Sequence, residues 1–223
     1  MTTKIKEFYI QDLFENELNK IWNDELFSEL NVIERGYGVH NNVIENQLLF
    51  IGINPSFAKG SVNGNFFASI NQKGQNNWGI SYPYFKKFVE IAENTNLLWS
   101  DIDLLFFRET QQKYISKIEK TEIGKKFISR QLDISKEVIL KAKPKVIVIC
   151  NTKARDLLKD KKINNKIEFV FEFCEKLGTE KIIKPTELKG TPVFFTSMLT
   201  GQRALDKGSF RRLIWHINKV AMS

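Results

Sequence analysis

The sequence predicts an α/β protein with a mainly parallel, four-stranded central sheet. Short apolar runs typical of buried strands occur in four places, at residues 48–51, 103–107, 145–150 and 192–197. Segments with apolar residues at helical spacing separate these runs, near residues 83–94, 121–143 and 152–158. Because strands that alternate with helices favour parallel pairing and right-handed crossovers, the carboxyl ends of the strands should share one edge of the sheet. A polar segment follows each strand, which predicts a single crevice at that edge.

The N-terminal region, about residues 1–46, is predicted to be helical. Apolar side chains recur at helical spacing over residues 12–30, and Asp12 with Glu15 fits a capping pair at the start of a helix. Residues 35–46 are polar and rich in turn-forming residues, so we expect His40 to be exposed to solvent.

The first predicted strand ends abruptly in a polar turn. Gly52 allows backbone or ligand to come close, and Pro55 favours an extended conformation at Asn54. The carboxamide of Asn54 is therefore expected at the carboxyl end of the strand, where open α/β sheets bind ligands. A simple Asn-Pro turn without a function is the alternative interpretation of the same residues.

A long loop, residues 57–81, follows this turn. Gly, Asn, Gln and Ser are frequent in it, yet it also carries the aromatic residues Phe57, Phe66, Phe67 and Trp78. Loops of this length in compact domains are usually functional or disordered, and aromatic residues argue against disorder. The rings either anchor the loop on the core or form a pocket wall that stacks on a flat ligand, and both interpretations remain open.

Three later segments place further polar groups after strands. Arg108 follows the second predicted strand, Asn151 follows the third, and Ser197 ends the last one. Asn151 is also expected to cap the next helix, whose start is a place where an anion can bind. Residues 167–173 are compatible with an extra or edge strand, and residues 174–191 are predicted to be a connector.

Composition limits the classes of chemistry. The length of 223 residues suits one sizeable α/β domain, and the net charge of +8 weakly favours a polyanionic partner. Two dispersed histidines and two dispersed cysteines predict no metal site, no iron–sulfur cluster and no disulfide framework. No phosphate-binding glycine motif is present, and Ser197 has no obvious triad partners. The sequence contains neither a signal peptide nor an apolar run of about 20 residues, so we expect a cytoplasmic protein without a membrane segment.

The segment Gly52-Ile-Asn-Pro-Ser56 resembles the first active-site motif of the uracil-DNA glycosylase superfamily. The mismatch-specific class has Gly-Ile-Asn-Pro-Gly there, and the single-strand-selective class has Gly-Met-Asn-Pro-Gly. In the single-strand-selective class a Gly-x-x-Phe segment supplies the base-stacking ring, and Gly64-Asn-Phe-Phe67 lies at the same offset. The second motif of that class, His-Pro-Ser-Pro followed by Lys-Gly-Trp, aligns through Lys207-Gly208 with Ser197 at the histidine. The similarity covers roughly residues 48–215.

This resemblance implies a three-layer α/β/α fold in one domain, residues 1–223, that hydrolyses the N-glycosidic bond of uracil or another damaged base after flipping it out of DNA. Asn54 would position the attacking water, and Ser197 would lie on the leaving-group side. The implied substrate-binding residues are Gly52, Ile53, Pro55, Phe67, Arg108 and Asn151. The implied DNA-binding residues are Thr200, Gln202, Arg203, Lys207 and Arg211. The implied partner is single- or double-stranded DNA, bound by a monomer without metal or other cofactor.

Two departures from the family pattern leave other functions open. Ser197 replaces the histidine that donates toward the base carbonyl, and Phe107 or Arg108 occupies the place of the base-reading asparagine. The alternatives are a non-catalytic nucleic-acid-binding protein on the same fold and a small-molecule enzyme that acts on a nucleoside or nucleotide. The fold class does not choose among them.

Overall fold

A computed structural model describes residues 5–76, 79–160, 167–201 and 204–222. The helices are α1 (Ile10–Trp22), α2 (Lys86–Thr95), α3 (Gln112–Ile118), α4 (Glu122–Ala142), α5 (Thr152–Lys159) and α6 (Lys207–Ala221). The strands are β1 (Glu7–Tyr9), β2 (Gly38–His40), β3 (Asn42–Ile44), β4 (Leu48–Gly52), β5 (Phe66–Ala68), β6 (Trp99–Asp103), β7 (Val146–Ile149), β8 (Val170–Cys174), β9 (Thr179–Lys184) and β10 (Pro192–Phe195). Two short 3₁₀ helices lie at Glu25–Phe27 and Thr186–Leu188.

The central sheet has six strands in the order β6, β4, β7, β10, β9 and β8. The first four are mutually parallel, as predicted, but the predicted strand number of four is wrong. A hairpin of β8 and β9 adds two strands, and β9 pairs antiparallel with β10. Charged side chains at Glu180, Lys181 and Lys184 make β9 look like a connector, although Ile182 between them is fully buried.

The second strand of the parallel set, β6, begins four residues before the strand predicted at 103–107. The segment 104–107 is completely buried, yet it lies beyond the strand, and its first two amides donate to carbonyl oxygens at the end of β4. The apolar run therefore reflects burial rather than a long ladder of strand pairing. As a consequence Asp103, and not Arg108, stands at the carboxyl end of β6.

Both faces of β4 are covered by hydrophobic clusters, because successive side chains of a strand point to opposite faces. Leu49 and Ile51 belong to a cluster that contains buried side chains of α1, α4 and α5. Leu48 and Phe50 belong to a second cluster with buried side chains of α2 and α6. Within the described residues, no helix is long and apolar enough to cross a membrane.

The N-terminal region contains short strands as well as a helix. The helix predicted over residues 12–30 ends at Trp22. Strand β1 pairs with β3, and β2 pairs in parallel with β5, so that His40 lies opposite Ala68. The loop segment that carries Phe66 and Phe67 is therefore held against residues that precede β4.

Candidate functional site

A cavity of about 650 Å³ lies at the carboxyl end of β4, where the sequence predicts the crevice. Its walls come from the turn after β4, from β5, from the segment before α2, and from the residues that follow β6 and β7. The volume falls within the range of about 300–1,000 Å³ that is usual for small-molecule sites. Of the predicted substrate-binding residues, those that line the cavity are Gly52, Ile53, Pro55, Phe67 and Asn151.

The amide of Asn54 is fixed by its surroundings. Its Nδ2 atom donates to the carbonyl oxygens of Pro55 (2.9 Å), Phe107 (3.2 Å) and Glu109 (2.7 Å). Three acceptors on one side require the nitrogen to face them, which settles the orientation of the amide. The Oδ1 atom is therefore the group of Asn54 that remains to accept a hydrogen bond in the cavity.

Aromatic rings form one wall of the cavity. Phe66 and Phe67 both line it, and Phe67 packs edge-on against Tyr37 with ring centroids 5.6 Å apart. Phe57, in contrast, anchors the loop. Its ring lies against the guanidinium groups of Arg35 and Arg108. Trp78 lies outside the described residues.

Arg108 does not line the cavity. Its side chain instead contacts the loop of residues 57–81. Its Nη1 atom donates to the carbonyl oxygens of Arg35 (3.0 Å), Val62 (2.8 Å) and Gly64 (3.1 Å). The guanidinium carbon also lies 4.8 Å and 5.0 Å from the ring centroids of Phe57 and Phe66. These contacts hold the aromatic loop in place, so Arg108 acts on the cavity through its wall.

We expect the substitution Arg108→Met to lower the free energy of unfolding by about 1–3 kcal/mol, because it removes the charged donor that three carbonyl groups of the loop and of Arg35 share. Urea unfolding followed by fluorescence measures the change. Lys189→Met, at an exposed position, is the matched control. Equal midpoints for the two variants would show that the Arg108 contacts contribute nothing to stability.

A histidine with two aspartates forms a polar cluster that sequence reasoning missed. His40 Nδ1 forms an ion pair with Asp101 Oδ2, and the two side chains are only 19% and 8% exposed. The expectation that His40 is exposed to solvent is therefore wrong. Burial lowers the pKa of His40, but Asp101 and the nearby Asp103 outweigh burial and raise the pKa to about 9. The imidazole is thus a cation at neutral pH.

Asp103 lies directly over Gly52 in the cavity. A Cβ atom at Gly52 would be 2.2 Å from Asp103 Oδ1, so a side chain at position 52 would force this carboxyl group to move from its place. Burial raises the pKa of Asp103 to about 7, the His40 charge lowers it, and the Asp101 charge raises it. Burial also raises the pKa values of the nearby Tyr84 and Cys150, so both stay neutral.

We expect the free energy of unfolding to fall as pH rises from about 6.5 to 9, because folded His40 binds a proton that the unfolded chain has released. The stability from His40 is fully present below pH 6.5 and is lost as pH rises through 9. The loss is up to about 3 kcal/mol, at about 1.4 kcal/mol per pKa unit. Asp103 adds a fall at lower pH, between its ordinary value of 3.8 and about 7.

Urea unfolding at several pH values tests this prediction with the variant His40→Gln, which should reduce the fall above pH 6.5 to the part that Asp103 contributes. His216→Gln removes the other histidine and should retain the fall. A wild-type stability that is constant from pH 6.5 to 9 would contradict the prediction.

Of the two remaining residues predicted at strand ends, Asn151 lines the cavity and Ser197 does not. Asn151 Oδ1 caps α5 by accepting from the backbone N–H groups of Lys153 (2.8 Å) and Ala154 (3.3 Å). This leaves the Asn151 amide nitrogen as a donor at the cavity. Ser197 is not among the lining residues, and the adjacent Met198 takes that position.

The predicted DNA-binding residues are only partly described. Lys207 and Arg211 are exposed on the first turns of α6, and Thr200 is half-buried just before this helix. Gln202 and Arg203 lie outside the described residues. In the described part of the chain, no group of three or more His, Cys, Asp or Glu side chains is arranged to hold a metal ion.

Two signals in the sequence point to the missed cluster. Asp101 and Asp103 are two residues apart in a buried strand, so both carboxyl groups face the same side of the sheet. His40 gives a weaker signal, because its place beside β6 depends on contacts between distant segments, such as the hydrogen bonds from Gly38 to Phe106 and from Ile44 to Ser100.

Comparison with known proteins adds no family assignment. No protein-family model matches the chain, and no curated protein matches it.

Proposed function

We propose that the protein is a DNA glycosylase that hydrolyses the N-glycosidic bond of uracil or another damaged base held in the cavity. The observation that carries this proposal is the orientation of Asn54, whose amide nitrogen is held by three carbonyl groups and whose oxygen is left available. The aromatic wall of Phe66 and Phe67 in the same cavity suits a flat base that has left the DNA stack.

The proposed chemistry follows from these groups. Breaking the glycosidic bond builds positive charge on the sugar and negative charge on the departing base. A carboxamide is not a strong base, but the Asn54 oxygen can accept a hydrogen bond from a water and orient it toward the sugar carbon. Fixing a reactant in this way removes several kcal/mol from a barrier.

The negative charge on the departing base needs a donor. The resemblance assigns this side of the site to Ser197, but Met198 stands there in the cavity lining. The lining supplies two other donors, the cationic imidazole of His40 and the amide nitrogen of Asn151. In the proposal these groups replace the histidine of the second family motif.

The fold and the charge of the chain are consistent with this function. Hydrophobic clusters on both faces of β4 are what a three-layer α/β/α arrangement of the superfamily requires. The exposed Lys207 and Arg211 on α6 suit phosphate contacts that position a nucleic acid. The proposal includes a monomer that acts on single- or double-stranded DNA in the cytoplasm without a cofactor.

A base-release assay tests the proposal. The protein is incubated at stoichiometric concentration with single- and double-stranded oligonucleotides that carry uracil, hypoxanthine or ethenocytosine, and released bases are detected by mass. We expect an abasic product from at least one substrate. The absence of product from all of them would reject the glycosylase function.

The position of Ser197 outside the cavity lining favours a second candidate, a nucleic-acid-binding protein without catalysis. This candidate predicts salt-dependent binding of oligonucleotides without base release. It also predicts that Asn54→Ala binds as tightly as the wild type.

A further inference from the structure

We propose that Asp103 and His40 form the recognition edge of the cavity and select a flat heterocycle with an N–H donor next to a hydrogen-bond acceptor. This inference deepens the proposed function and rests on it for the idea that a base enters the cavity. It assigns to Asp103 and His40 the selection that the family resemblance gives to an asparagine.

The two groups converge from separate parts of the chain. Asp103 ends β6 and reaches over Gly52, while His40 ends β2 beside the aromatic wall. Both line the cavity, and each charge shifts the pKa of the other. The neighbouring groups that titrate or carry charge are Asp101, Tyr84 and Cys150.

Asp103 is the member of this cluster that has no structural partner. Asp101 already forms the ion pair with His40. The Asp103 carboxyl group, in contrast, forms no hydrogen bond or ion pair with any residue that the structure describes, although the backbone of Asp103 pairs with β4. Placing a second, unsatisfied carboxyl group in a half-buried position is costly unless a ligand supplies its partner. The cavity in front of Asp103 is where such a ligand would lie.

The chemistry of the pair defines the ligand. A carboxylate accepts hydrogen bonds only, and an imidazolium donates only. A heterocycle that satisfies both must offer an N–H group beside an acceptor, as uracil does with N3–H and O4 and hypoxanthine with N1–H and O6. Charged partners make such hydrogen bonds about twice as strong as neutral ones. A heterocycle methylated at the donor nitrogen would leave the Asp103 carboxylate unpaired.

Direct binding measurements with two small heterocycles test the inference. The probes are 1-methyluracil and 1,3-dimethyluracil, which differ at the N3 donor. We expect the wild type to bind 1-methyluracil about tenfold more tightly or better, as measured by calorimetry or ligand-observed NMR at pH 8. The preference should weaken at pH 6, where Asp103 takes up a proton and ceases to be a pure acceptor.

Variants of Asp103 test whether this residue causes the preference for 1-methyluracil. Asp103→Ala should bind the two heterocycles with less than about a twofold difference. Asp103→Asn keeps an acceptor oxygen, so it should retain part of the preference but lose its dependence on pH. Asp156→Ala, which removes an exposed carboxylate, is the control and should behave as the wild type.

Equal affinity of the wild type for both probes would overturn the inference. No binding of either probe at millimolar concentration would also overturn it, as would a preference that persists in Asp103→Ala. These assays contain no DNA and no bond cleavage, so they are independent of glycosylase activity. A preference for 1-methyluracil without base release from any oligonucleotide would support the recognition edge and reject the glycosylase function. Base release without this preference would support the glycosylase function and reject the recognition edge.

Discussion

Replacing Asn54 with alanine is expected to lower the rate of base release by about a thousandfold, comparable to the loss of a single oriented polar group in other hydrolases. The substitution removes the oxygen that would orient the water. It also leaves the carbonyl groups of Pro55, Phe107 and Glu109 without their shared donor. Base release from the best substrate of the panel measures the effect under single-turnover conditions.

Asn63→Ala is the matched control, because Asn63 is an exposed asparagine of the loop that follows the same turn. It should release base at the wild-type rate. Circular dichroism and urea unfolding establish that Asn54→Ala is folded at the assay temperature. A folded Asn54→Ala protein that releases base within tenfold of the wild-type rate would remove Asn54 from the mechanism.

The variant Asn54→Asp separates the two roles of this side chain. An aspartate keeps an acceptor oxygen but offers no N–H group, so its carboxylate would face three carbonyl oxygens at 2.7–3.2 Å. We therefore expect Asn54→Asp to be less stable than Asn54→Ala. If Asp at this position were as stable as Asn, the three carbonyl contacts would not orient the amide.

Gly52→Ala is expected to lower the free energy of unfolding by about 1–3 kcal/mol and to abolish binding in the cavity, because the new methyl group overlaps Asp103. The added Cβ would lie 2.2 Å from the Asp103 carboxyl oxygen. The backbone of Gly52 is not in the left-handed region, so alanine meets no conformational strain there. The clash with Asp103 is thus the main cost.

A double-mutant cycle isolates that clash. In an Asp103→Ala background the methyl group at position 52 has room, so Gly52→Ala should change the free energy of unfolding by less than about 0.5 kcal/mol. Urea unfolding of the four proteins at one pH gives the coupling energy. The same cost in both backgrounds would mean that Gly52 is required for a reason other than the approach of Asp103.

The sequence was sufficient where local patterns determine the structure. The apolar run before Gly52 and the Asn-Pro pair after it place Asn54 at the carboxyl end of β4, and the family resemblance, through the Gly-x-x-Phe segment, implies that Phe67 lies nearby. The cavity contains both residues. The four parallel strands also follow from the local alternation of strands and helices. The predicted bounds of β6 were wrong, because the buried apolar run 104–107 that follows this strand has the sequence pattern of a strand itself.

The features that the sequence did not predict depend on contacts between distant segments of the chain. His40 lies at the end of the three-residue strand β2, which is too short to give a pattern in the sequence, and its ion pair with Asp101 of β6 joins segments about 60 residues apart. Strand β9 carries charged side chains on both sides of the buried Ile182, so its apolar content falls below that of the parallel strands. Ser197 aligns with a family motif, yet backbone direction after β10 brings Met198 to the cavity.

The parallel pairing of β2 with β5 has a consequence for ligand choice. The backbone N–H of Asn41 donates to Ala68, and the side chain of Asn42 bonds both backbone groups of Ile70. The segment before β4 therefore sets the position of the aromatic wall and also supplies His40. In chimeric proteins that exchange this segment between related chains, the position of the aromatic wall and the His40 donor would change together, while Asp103 and Asn54 would remain with the sheet.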